Sequence, residues 1–136
     1  HLLSLGEALM VCKKYGLNLK TAFQGIKISS GNSFVHETES KVILSGSYDV
    51  NFTMDLVCKD LSLFNQLTKK FNVRSEISPL MLKIFNEGRK KFGDREWSTK
   101  IVRLLEEECK TDLRSKGFPL ELKDDEPRKK GTEVKF

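Results

Sequence analysis

Between Thr53 and Phe71 the chain repeats apolar residues at a spacing that suits an amphipathic α-helix. Wound at about 100° per residue, Leu56, Val57, Leu61, Leu63, Phe64, Leu67 and Phe71 share one broad arc, while Lys59, Ser62, Gln66, Lys69 and Lys70 take the other side. An arc this wide predicts a helix packed against several neighbours. Asp60 breaks the pattern, because it projects into the middle of the arc, in line with Leu56, Leu63 and Leu67. A buried carboxylate is costly unless it is hydrogen-bonded or paired. Two readings follow: Asp60 caps an adjacent helix or a loop amide, or it orders a cleft beside Lys59 at the arc's edge.

The remaining segments read the same way. Leu2, Leu5, Leu9 and Cys12 mark a first helix ending near Tyr15, with Gly16 placed to take a left-handed conformation just past its end. No capping residue precedes it, as in a helix entered part-way along. Asn18 caps a second helix from Leu19 to about Lys27, and the Ser29–Ser33 turn leads into a third, from Phe34 to Leu44. Ser78-Pro79 opens a fifth helix, closed by Gly93, and Ser98 starts a sixth that runs to about Lys110. Without a strand pair or a repeat, the prediction is an all-α multi-helix bundle over residues 1–110. Beyond Thr111 apolar residues thin out, so residues 111–136 read as a mobile tail.

Composition narrows the function. The chain has 136 residues, sized for one domain, and no apolar run approaches the roughly 20 residues that cross a bilayer. Its net charge of +5 comes from basic residues scattered among acids, with no basic–aromatic stripe for stacking bases, so neither a nucleic-acid nor a membrane partner is expected. Cys12, Cys58 and Cys109 share no metal-ligand spacing and read as reduced thiols, and His1 and His36 form no metal site. No metal is expected. Neither a glycine-rich phosphate loop nor a nucleophile elbow is present.

Three stretches carry a likeness to a known family. Gly6-Glu7-Ala8-Leu9 with Tyr15-Gly16-Leu17-Asn18 is similar to an "AEA…GLD" helix end. Ser30-Gly31-Asn32-Ser33-Phe34 is similar to an "SGxSW" turn, and Phe52 through Leu61 to an "FxxxLxxKDL" segment. Together they resemble the C-terminal helical domain of the β-hydroxyacid dehydrogenases, the group of 3-hydroxyisobutyrate dehydrogenase and tartronate semialdehyde reductase, related to 6-phosphogluconate dehydrogenase. The likeness runs from residue 1 to about Leu105.

The resemblance implies an oxidoreductase that uses NAD or NADP, bound mainly by a Rossmann domain absent from this chain, and a helical domain that meets a 3-hydroxy acid and builds a homodimer or higher homo-oligomer. It implies no catalytic residue here: the family's general acid/base lysine falls upstream of His1, so this chain alone is expected to be inactive. It places Lys59 at the cofactor edge, and Asp60, Phe34 and Phe52 on the substrate side. Phe stands at 34 where Trp is commoner, and Glu39 where relatives often carry Tyr. The expected compartment is the cytoplasm, with the mitochondrial matrix as the alternative. The competing reading is a non-catalytic helical oligomerisation or interaction module derived from the same fold.

Overall fold

Six α-helices and one 3-10 helix supply the regular structure of residues 1–123 and 131, the part of the chain that the computed structural model describes. They are α1 (Leu2–Lys14), α2 (Leu19–Lys27), α3 (Phe34–Ser45), α4 (Met54–Lys70), α5 (Ile77–Phe92), a 3-10 helix (Ser98–Val102) and, directly after it, α6 (Arg103–Glu108). No strand occurs among the described residues. Thr53 and Trp97 form one isolated antiparallel bridge. The all-α prediction holds.

Local chemistry explains three of the helix ends. Asn18 Oδ1 accepts from the amides of Lys20 and Thr21 at 2.9 and 3.2 Å, and Ser33 Oγ accepts from the His36 amide at 3.1 Å. Gly46 closes α3 in the left-handed conformation, φ +89°, where a side chain would be strained. The fifth helix begins earlier than its proline suggests, at Ile77, and the Ser78 hydroxyl is buried without a hydrogen-bond partner instead of capping it. The expected sixth helix divides into the 3-10 turn and the short α6.

The core lies where α1, α3 and the 3-10 helix converge. Leu9, Ile43, Leu44, Met54, Ile101 and Leu113 are almost completely buried there. Each such side chain contributes roughly 1.5–3 kcal/mol of transfer free energy. α4 and α5 pair as a hairpin that meets the rest of the bundle mainly through the 3-10 helix. Gly88 allows the approach, since a Cβ there would stand 2.5 Å from Ile101 Cδ1 and 3.2 Å from Met54 Sδ.

Two expectations are corrected. First, Asp60 is not inside a buried arc. α4 turns inward the narrow strip Met54, Cys58, Leu61, Asn65 and Thr68, spaced 4-3-4-3 along the chain. Asp60 lies about 120° round the helix from the middle of that strip. With α5 as its main partner, α4 can bury only one seam, and Leu63, Phe64, Leu67 and Phe71 of the broad arc stay half exposed or more. Second, the chain does not leave the bundle at residue 110. Leu113 is fully buried, and the Ser115 amide donates to Leu44 O at 2.9 Å. One well-placed leucine and one ion pair, Arg114 to the buried Glu106, dock this segment although its average composition is polar. Of the expected tail, residues 124–130 and 132–136 lie outside the described residues.

Candidate functional site

The first turns of α4 are held from outside the helix. Thr53 provides no side-chain cap. The Met54 amide donates to Glu96 O at 2.9 Å and the Asp55 amide to Asp94 O at 3.0 Å, so the 94–97 segment satisfies two of the open donors at this helix end. The Ser98 amide donates to Phe52 O at 2.8 Å and fixes the residue that leads into α4. Phe52 is thus tied to the start of α4 while its side chain remains accessible, 38% exposed.

Lys59 and Asp60 follow in the second turn, both exposed. Lys59 Nζ stands 3.2 Å from Asp60 Oδ1. Asp55, one turn before Lys59, is pulled below the usual carboxylate range by the Thr53 hydroxyl and then by Arg95, whose Nη1 donates to Asp55 Oδ2 at 3.2 Å. Arg89 grips Asp94 through two contacts, 3.0 and 3.1 Å, and holds that carboxyl low as well. The Cys58 thiol, on the inner side of the same turns, is pushed up by burial against an opposing hydrogen bond from Arg89. The result is a rigid, charged helix start with Lys59 and Asp60 at its solvent edge.

Phe34 stands apart from these three. It opens α3 and is 83% exposed, and α3 packs on α1, α2 and the 3-10 helix while α4 packs chiefly on α5. The structure therefore brings Phe52, Lys59 and Asp60 onto one short stretch of α4 and its leader, with Phe34 on a different element.

The sequence reading missed the burial of one group and the whole of another. Glu39, in α3, has one carboxylate oxygen buried with no hydrogen-bond partner, and burial pushes its carboxyl up to about 7. Its position among Thr38 and Ser40 in a polar stretch gave no sign of burial. The other is a cluster of Tyr48, Glu106 and Arg114, too far apart in the chain for any local spacing to reveal it. His36 is buried with its Nε2 at 2.9 Å from Phe23 O.

An exposed ammonium and carboxylate on α4, with a partly accessible aromatic side chain on the segment leading into it, can offer polar and apolar contacts to a ligand at this surface. They do not enclose one. A cavity of about 660 Å³ lies between α4 and α5, but Asn65, Thr68, Lys69, Leu82 and Lys83 line it, not Phe52, Lys59 or Asp60.

Comparison with known proteins supplies the context. A family model described as the NAD-binding domain of NADP-dependent 3-hydroxyisobutyrate dehydrogenase matches residues 1–105. The chain is 34% identical over 108 residues to 2-(hydroxymethyl)glutarate dehydrogenase of Eubacterium barkeri, covering 79% of this chain and 36% of that protein. It is 22% identical over 105 residues to L-threonate dehydrogenase of Haemophilus influenzae, covering 77% and 35%. The chain thus spans about a third of the length of these curated relatives. The cofactor of the group is NAD(P), and its chemistry is oxidoreduction. With the whole stretch from α1 to the start of α6 matched, and all three recognised motifs inside it, the chain belongs to the 3-hydroxyisobutyrate dehydrogenase-like NAD-binding family of the β-hydroxyacid dehydrogenases.

Proposed function

We propose that this chain is the C-terminal substrate and dimerisation domain of an NAD(P)-dependent dehydrogenase that oxidises a 3-hydroxy acid, or reduces the corresponding semialdehyde. The observation that carries the reading is the Lys59–Asp60 pair, exposed on the matched stretch of α4, with Phe52 on the segment that leads into the same helix. The nicotinamide, when bound, accepts or returns the hydride at the carbon bearing the hydroxyl. Lys59 presents a donor to the cofactor's ribose edge, and Asp60, at 3.2 Å, orders that ammonium and faces the substrate side. Phe52 supplies an apolar wall next to them, and Phe34 closes the substrate side from α3. The family's general acid/base lysine, which no residue of this chain matches, would take or give the hydroxyl proton. Cytoplasmic placement is part of the proposal and agrees with three free thiols, Cys12, Cys58 and Cys109.

The division of labour has a direct test. In the longer dehydrogenase, Lys59→Ala should raise the Michaelis constant for NAD(P) about tenfold or more with little change in melting temperature. An unchanged constant would remove Lys59 from the cofactor edge. This chain by itself should not turn over hydroxy acids, and calorimetry should find no micromolar affinity for NAD(P). A micromolar dissociation constant would show that the isolated domain holds the cofactor.

A second reading, a non-catalytic oligomerisation module built on the same fold, draws on the exposed apolar side of the α4–α5 hairpin. Steady-state turnover in the longer protein decides between the two.

A further inference from the structure

Tyr48 lies in the loop between α3 and α4 with φ +57°, a conformation that bulky residues rarely adopt, and Asn51 shares it at φ +55°. Such backbone persists only when its surroundings over-determine it. Here the surroundings are identifiable. The Tyr48 amide donates to Val42 O at 3.0 Å, and the Thr99 hydroxyl donates to Tyr48 O at 2.5 Å. The phenol donates to Glu106 Oε2 at 2.5 Å, and the Arg114 guanidinium lies over the ring, 4.9 Å from its centre. Arg114 also donates to Glu106 Oε1 at 3.0 Å and to Ile43 O at 3.2 Å, while the Leu113 amide donates to the same Glu106 oxygen at 2.8 Å. Gly46 leaves room for this, since a Cβ there would stand 2.5 Å from Arg114 Nε. Glu106 and Arg114 both lie beyond the residues that the family model matches.

We propose that Leu113–Ser115 is a clasp that holds Tyr48 in its left-handed conformation and thereby sets how the loop delivers Phe52 to α4. The path is continuous: Arg114 and Glu106 fix Tyr48, Thr99 joins Tyr48 to the 3-10 helix, and Ser98 at the start of that helix fixes Phe52. Opening the clasp would let the loop relax and shift the helix start while α1, α2 and α5 stay folded. The clasp concerns this chain's own packing and stands whether or not Lys59 meets the cofactor.

Amide hydrogen exchange on this chain tests it, resolved by residue. In Arg114→Met, exchange at Tyr48, Met54 and Ser98 should accelerate by about tenfold or more, with the amides within α2 and α5 unchanged. Should that variant fail to fold, Arg114→Lys decides. It keeps a charge opposite Glu106 but cannot hold Glu106, Ile43 and Tyr48 with one fork, so it should show the same local acceleration in weaker form. No acceleration at Tyr48 and Ser98, or an equal acceleration throughout the helices, would overturn the clasp.

Discussion

Lys59 and Asp60 are neighbours in sequence whose charged groups meet at 3.2 Å on the outer face of α4, with side chains 60% and 56% exposed. A pair in that position is solvated and screened, and it adds little to stability. For the same reason either head can exchange its partner for a ligand at small cost. A buried Asp60 would behave oppositely, locked into one structural contact.

Asp60→Ala and Lys59→Ala should accordingly melt within about 2 °C of the parent chain and of each other. Two thermal melts check this. A large loss for Asp60→Ala alone would return the carboxylate to the interior that the helical projection assigned to it.

Glu39 gives the chain a distinct pH response. Burial raises its carboxyl from an ordinary 4.5 to about 7. Below the unfolded value both states hold the proton, and between about 4.5 and 7 only the folded state does. Stability from this group is therefore fully present at low pH and is lost as pH rises through about 7, by up to roughly 3 kcal/mol. Glu39→Gln should flatten that part of the profile and gain stability relative to the parent at pH 8. Parallel profiles for the two chains between pH 4.5 and 8 would show that Glu39 is solvated.

Gly88 tests the contact between the α4–α5 hairpin and the body. Alanine is the better helix former by roughly 1 kcal/mol. Its methyl would nevertheless meet Ile101 Cδ1 at 2.5 Å and crowd Met54 Sδ. Overpacking of this kind costs about 1–3 kcal/mol, so Gly88→Ala should be net destabilising in chemical denaturation. A stabilised variant would mean that the hairpin shifts freely against the 3-10 helix.

How much of this was legible depends on the range of the interaction. Asn18, Ser33, Gly16 and Gly46 act within a turn of where they stand, and each helix end they announce is present. Helical periodicity located α4 but misplaced its inner face, because the buried seam includes Asn65 and Thr68 while the more apolar Leu63, Leu67 and Phe71 point outward. Hydrophobicity identifies faces that water avoids, and here one such face has no partner among the described residues. Leu113 and Arg114 were unreadable for another reason. Their partners Ile43, Tyr48 and Glu106 are brought to them only by the finished fold. Phe34 and Phe52 came from resemblance alone, whereas Asp60, with Lys59 beside it, was first marked by a helical projection that its exposure overturns, and only the resemblance gives the pair a ligand.

That outward face motivates the last prediction. Leu63, Phe64 and Leu67 on α4, Phe71 just past its end, and Ile77 and Leu80 on α5 are all about half exposed or more. Contiguous apolar patches on this scale mark interfaces more often than free surface. A helix face also pairs readily with its own copy across a two-fold axis, where each residue is used twice. The chain should therefore self-associate, with sedimentation shifting from monomer towards dimer as concentration rises. Leu67→Glu should abolish the shift, because it sets two carboxylates against each other near the axis, and it should leave the melting temperature of the monomer nearly unchanged, since Leu67 lies outside the buried seam. A parent chain that stays strictly monomeric at high concentration would assign the face to some other partner. A Leu67→Glu chain that still dimerises would place the two-fold elsewhere on the bundle.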